Sequence, residues 1–183
     1  MAALILTGPS AAGKAAVAVA ASKLVDRCAL VDVDLVRQRF GVPLPQAAIY
    51  ELAAQGRWPL PLPESVRPDD WAVGVRASIA VAKAFMAGDY QVILHDILTE
   101  ASTRIYREEL PEARIVLLRP TLEAVQQRWR QRAAIERFQR LQETEVVALY
   151  QHQAAYTGQD EVIDNTELTI PTLAAQLAVM LSG

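Results

Sequence analysis

Residues 8–15 read Gly-Pro-Ser-Ala-Ala-Gly-Lys-Ala, and no other stretch of the 183-residue chain restricts its fold as tightly. The pattern is G-x-x-x-x-G-K, a phosphate-binding loop. It follows the apolar run Ala2-Ala3-Leu4-Ile5-Leu6 and precedes an Ala/Val-rich stretch, which gives the strand, loop, helix context the motif requires. Gly8 and Gly13 let the backbone curl close to an anion while successive N–H groups point inward. The following helix adds its positive end, and Lys14 reaches the β- and γ-phosphates. Ser10, Ala11 and Ala12 complete the cradle. Ala15 departs from the pattern, because that position ordinarily carries a Ser or Thr whose hydroxyl coordinates Mg²⁺.

Strand-length apolar runs recur at 2–7, 28–33, 91–95, 113–118 and 160–164, separated by helix-like segments at 14–26, 71–87, 99–109, 121–156 and 169–181. Several runs are Val/Ile/Leu-rich with little alternation, as in strands covered on both faces. This β–α rhythm predicts a three-layer parallel sheet of about five strands flanked by helices, with ligands at the carboxyl ends of the strands. At 183 residues the chain reads as a single domain, 1–183, able to bury a sizeable core.

Hydrophobic residues make up 52% and charged residues 21% of the chain, which argues against disorder. The net charge of −3 gives no general reason to bind nucleic acid. Cys28 is the only cysteine; it sits in an apolar run as an inert thiol, allows no internal disulfide and suits a cytoplasmic setting. No signal peptide or membrane span is expected, since no basic region precedes the N-terminal run and no apolar run approaches ~20 residues.

Two segments interrupt the rhythm. Residues 43–70 hold six of the ten prolines, with a short helix possible from Gln46 to Gln55 and irregular chain expected from Arg57 to Asp70. Such an insertion either covers substrate or is a rigid surface excursion. Residues 119–140 hold six arginines. Arg128 and Arg132 share one helix face and Arg130 and Arg137 another, so 128–137 reads as a lid closing over a polyphosphate or as a solvated face with an Arg132–Glu136 pair.

Acids end two of the runs. Val31-Asp32-Val33-Asp34 places two carboxylates at i and i+2, one suited to hold hydrated Mg²⁺ and the other to take a proton from a substrate hydroxyl. The alternative makes Asp34 the cap of a helix beginning at Leu35. Gln91-Val92-Ile93-Leu94-His95-Asp96 has the form of a Walker B segment, whose Asp organises Mg²⁺ or the attacking group; a turn or cap is the alternative for Asp96. His95 reads as a polar neighbour of the nucleotide or substrate, without a second histidine to form a metal site.

Taken in order, the loop at 8–14, Val31 to Asp34, Val92 to Asp96, and Glu161-Val162-Ile163-Asp164-Asn165-Thr166 resemble a small P-loop kinase, most nearly the chloramphenicol phosphotransferase-like group. The wider family includes nucleoside monophosphate, shikimate and gluconate kinases. The resemblance implies that ATP, with Mg²⁺, donates its γ-phosphate to the hydroxyl of a small molecule, an antibiotic or a metabolite. By motif position Asp34 is the base and Asp96 a second polar contact, with Lys14 stabilising charge. Asp32 and Asp96 face the metal, and Gly8, Ser10, Ala11, Ala12, Gly13, Lys14, Ala15, Arg128, Arg132 and Arg137 face the nucleotide. The expected partners are that nucleotide and a small hydroxylated substrate, on a monomer or homodimer that binds neither nucleic acid nor membrane. Two departures, Ala15 and His95 in place of an acid, count against full catalytic competence, and Ala15 favours the alternative of a degenerate binder without efficient catalysis.

Overall fold

The computed structural model describes residues 2–40, 68–135 and 143–182. Its strands are β1 (Ala3–Thr7), β2 (Cys28–Asp32), β3 (Gln91–His95), β4 (Arg114–Leu118) and β5 (Glu161–Ile163). They form one parallel sheet in the order β2-β3-β1-β4-β5. The helices are α1 (Lys14–Ser22), α2 (Val33–Phe40), α3 (Pro68–Ala87), α4 (Glu100–Glu109), α5 (Leu122–Ile135), α6 (Glu143–Ala154) and α7 (Ile170–Ser182).

The lack of alternation in the apolar runs has a direct cause. One sheet face, with Ile5, Val31, Leu94, Ile115 and Leu117, packs against Val75, Ile79 and Ala82 of α3 and Ile105 and Tyr106 of α4. The opposite face, with Leu4, Leu6, Ile93, Val116 and Leu118, packs against Val17, Ala18 and Ala21 of α1 and Leu173, Leu177 and Leu181 of α7. Successive side chains point to opposite faces, so a strand buried on both must be apolar throughout. A smaller cluster of Val125, Val146 and Leu149 joins α5 to α6. Among the described residues, no helix is long and apolar enough to cross a membrane.

The strands fall within a residue or two of the expected runs; the helices differ in three places. The second strand passes into α2 at Val33, so Asp34 lies in a first helical turn rather than at a strand end. The cap is Asp32, whose Oδ1 accepts the Leu35 N–H at 3.0 Å. Residues 68–70, expected to be irregular, open α3, because proline at a helix's first position lacks only an N–H with no intrahelical partner. The segment 121–156 contains two helices, α5 and α6. Residues 41–67, with most of the proline-rich insertion, and 136–142, with Arg137, lie outside the described residues.

Ile5 lies fully buried on the central strand, whereas Val179 on α7 is 74% exposed. Ile5→Ala should lower unfolding free energy by about 2–5 kcal/mol, and Val179→Ala should change it by no more than about 0.5 kcal/mol. Urea denaturation of both variants checks the contrast.

Candidate active site

The loop that leaves β1 is built on backbone conformations most side chains disfavour. Gly8 has φ +145°, and a Cβ there would stand 2.5 Å from the Leu118 carbonyl oxygen on the neighbouring strand. Ala11 has φ +62° and Gly13 φ +94°. Gly13 has open space where a Cβ would be, so its glycine serves conformation rather than clearance. The Ala12 N–H donates to Pro9 O at 3.2 Å, closing the turn, and Val17 N–H to Gly13 O at 3.0 Å starts α1. Ala15 is exposed in the first turn of that helix and presents only a methyl group.

Lys14 folds back over the loop and donates from Nζ to Gly8 O at 2.7 Å and Pro9 O at 3.0 Å. Burial pulls its ammonium pKa down to about 8, while Asp34, Asp96 and Asp32 oppose that fall. The charge of Arg132, an exposed residue of α5, lowers it further. A desolvated ammonium near three carboxylates and resting on the loop carbonyls is suited to receive a polyphosphate.

Sheet register brings the expected acids to this loop. Asp32 stands opposite His95, and His95 opposite Leu6, two residues before Gly8. His95 Nε2 lies 3.7 Å from Asp32 Oδ2. Burial lowers the imidazole pKa, with Asp32 opposing. Asp34 is well exposed, with Oδ1 3.2 Å from Arg37 Nη1.

Asp96 is enclosed. Its Oδ1 accepts from Arg37 Nη1 at 2.9 Å and from Ile97 N–H at 2.8 Å. Its Oδ2 accepts from Arg37 Nη2 at 3.1 Å and from the Tyr106 hydroxyl at 3.4 Å. Burial lifts the Asp96 carboxyl above its ordinary range and Arg37 offsets part of that. Burial also opposes the Arg37 charge, but Asp96 more than restores it. The fork-on-carboxylate geometry is that of an ionised pair. Gly74 of α3 makes room for it, since a Cβ there would meet Arg37 Cγ at 2.5 Å.

The other flank of the loop is held from β5 and α5. Asn165 is buried and donates from Nδ2 to Ala12 O at 2.9 Å. Arg128 donates to Asn165 O at 2.7 Å and Thr166 O at 3.0 Å. Thr7, the last residue of β1, accepts the Leu98 N–H at 3.1 Å and donates to Gln153 Oε1 at 3.3 Å. Gln153 Nε2 in turn donates to Leu98 O at 2.9 Å.

The structure therefore gathers Lys14, Asp32, Asp34, His95 and Asp96 at the carboxyl edge of the sheet, and fixes Arg128 to the turn after β5. Sequence reasoning overlooked Arg37, Gly74, Tyr106, Thr7 and Gln153. Asp34-x-x-Arg37 is a legible i, i+3 acid–base pair. The other four carry no local signal, because their partners lie far along the chain. Among the described residues, no group of three His, Cys, Asp or Glu side chains is placed to hold a metal ion by itself.

A sugar kinase from Janibacter sp. superposes with a TM-score of 0.72 at 14% identity, covering 100% of this chain and 95% of that one. A shikimate kinase from Bacteroides thetaiotaomicron gives 0.60 at 16% identity, covering 100% and 99%. The fold is that of a P-loop kinase. The Deinococcus radiodurans tunicamycin resistance protein gives 0.62 at 15% identity, covering 97% and 94%. No protein-family model matches the chain, and no curated sequence does.

Gly74→Ala tests the close packing around Arg37. Helix propensity favours Ala by up to about 1 kcal/mol, but the new methyl must displace a buried side chain, which typically costs about 1–3 kcal/mol. A net loss of roughly 1 kcal/mol in urea denaturation is expected.

Proposed function

We propose that this chain is an ATP-dependent phosphotransferase acting on the hydroxyl of a small molecule, a metabolite or an antibiotic. We further infer that residues 1–183 form a single kinase-like domain of the chloramphenicol phosphotransferase-like type. One observation carries the reading. The register of β2, β3 and β1 sets an exposed carboxylate, Asp34, and the loop lysine, Lys14, at one edge of the sheet, where the Asp34 charge acts on the lysine. The functions printed for the structural neighbours, a sugar kinase, a shikimate kinase and a tunicamycin resistance protein, support it.

The residues divide the work as follows. Amides of Gly8, Ser10, Ala11, Ala12, Gly13, Lys14 and Ala15 line the triphosphate, and Lys14 neutralises charge developing on the transferred group. Asp34 accepts the proton of the acceptor hydroxyl as its oxygen bonds to the γ-phosphorus; the bond from that phosphorus to the bridging oxygen breaks, and the nucleoside diphosphate leaves. Arg132, exposed on α5 and felt by Lys14 through its charge, is the arginine of the 128–137 segment suited to meet the nucleotide, whereas Arg128 is committed to the turn after β5.

The residues present fit a hydrated Mg²⁺ rather than one held in a protein cage. Ala15 offers no oxygen. Asp32 is partly exposed, and its Oδ2 takes no part in capping α2. Mg²⁺ readily keeps several waters and binds through substrate phosphates with one or two carboxylates, and when bound here it would neutralise phosphate charge. Asp32 is the candidate carboxylate.

Lys14 gives a pH signature. With a free pKa of about 8, its ammonium is partly deprotonated at pH 8.5, and bound phosphates raise that pKa. Binding an unhydrolysed ATP analogue should therefore take up a proton at pH 8.5. Its affinity should fall by up to about tenfold per pH unit above pH 8, until the pKa of the bound state is reached. Titration calorimetry in buffers of different ionisation enthalpy reads the uptake, and Lys14→Ala should weaken binding and abolish that uptake.

The rival reading, a binder without efficient catalysis, rests on Ala15. Ala15→Ser adds one oxygen in an exposed first turn. In a kinase with a weakened metal site it should tighten Mg²⁺–ATP binding and raise turnover. A screen of hydroxylated metabolites and antibiotics for phosphorylated product supplies the acceptor. A flat Mg²⁺ titration in the variant beside a metal-independent parent, with no product from the screen, decides for the binder.

A further inference from the structure

We propose that Arg37, locked by the buried carboxylate of Asp96, is a positioning residue that fixes the orientation of Asp34. The inference rests on the reading of Asp34 as the base. It also assigns Asp96 to the support of the site, not to contact with metal or acceptor.

The geometry carries it. Arg37 Nη1 is shared between two carboxylates: it lies 2.9 Å from Asp96 Oδ1 and 3.2 Å from Asp34 Oδ1. Nη2 completes the fork on Asp96 Oδ2 at 3.1 Å. The two carboxylates sit in opposite environments, with no side-chain exposure for Asp96 and 59% for Asp34. The enclosed acid is itself pinned by the Ile97 N–H and the Tyr106 hydroxyl. The stem of Arg37 lies against the bare Cα face of Gly74, where a Cβ would stand 2.5 Å from Cγ. The β3 exit and α4 thus fix the guanidinium through Asp96, and α3 confines the stem that carries it.

Two physical considerations give this arrangement a purpose. A buried ion pair is no more stabilising than apolar packing of similar volume, because desolvation offsets the attraction. A core that needed only stability would not require Arg37. An exposed aspartate rotates freely unless something holds it, and misplacing a catalytic group by about 1 Å can cost about 100-fold in rate. Arg37 engages only Oδ1 of Asp34, so Oδ2 is the oxygen left to meet the acceptor hydroxyl. Each oxygen of the enclosed Asp96 carboxylate already accepts two protein donors, which suits an anchor.

The test compares wild type with Arg37→Met, Arg37→Lys, Asp96→Asn and the double variant Arg37→Met/Asp96→Asn. The double variant leaves neither charge alone in the core, so it keeps the comparison open where a single variant fails to fold. With Mg²⁺–ATP and the acceptor from the screen, kcat of Arg37→Met and the double variant should fall about 10- to 100-fold, with both KM values within about threefold. Arg37→Lys should recover part of the loss. Asp96→Asn should lower kcat without changing the Mg²⁺ concentration for half-maximal rate. Crystal structures should show one Asp34 rotamer, with Oδ1 on the guanidinium, in wild type and several in the double variant. Unchanged kcat, a loss no larger than the unfolded fraction, an unmoved Asp34 carboxylate, or a tenfold higher Mg²⁺ requirement in Asp96→Asn each overturn the proposal. If wild type phosphorylates no acceptor, the kinase reading fails, while the Asp34 rotamers still decide whether Arg37 positions it.

Discussion

The turn from β1 into α1 depends on a contact with no room for a side chain. β1 is the middle strand, buried on both faces, so its exit must pass beside β4, and Gly8 does so against the Leu118 carbonyl. Any Cβ there would push the loop off the sheet edge. With the chain held close, the positive φ values at Ala11 and Gly13 curl the backbone, and α1 starts where its N-terminus faces the strand ends. Lys14 then lies across the turn it belongs to. The burial of one strand thus sets the shape of the loop.

Around that loop, charge is arranged by depth. Asp96 and Arg37 are enclosed and satisfy one another, Asp32 and Asp34 reach solvent, and Lys14 is desolvated against its own loop. His95 lies inside the same ring, and burial lowers its imidazole pKa against the pull of Asp32. Desolvation weakens the hold of Lys14 on its proton, and nearby carboxylates return part of it. Such a group gains most when an anion arrives, since the anion restores what burial removed.

The remaining contacts bind the loop to the rest of the fold. Asn165 ties Ala12 to the turn after β5, and Arg128 ties that turn to α5. Thr7 and Gln153 join the exits of β1 and β3 to α6. Each helix of the α5–α6 pair is therefore fastened to the edge of the sheet that carries the loop.

The sequence by itself determined the sheet and the loop. Apolar runs without alternation mark strands buried on both faces, and the Gly8, Gly13 and Lys14 spacing marks a tight strand–loop–helix turn, because both signals are local. The positions of Asp32 and Asp96 at strand ends were legible for the same reason. Tertiary structure alone decided what each acid does. The cap of α2 fell to Asp32 because the helix begins at Val33, two residues earlier than the Asp34 cap required. Asp96 met Arg37 across 59 residues of chain, and Tyr106 and Gly74 closed around the pair from helices on the same face. Nothing local in the chain encodes such a meeting, because burial and pairing depend on which elements the sheet order brings together.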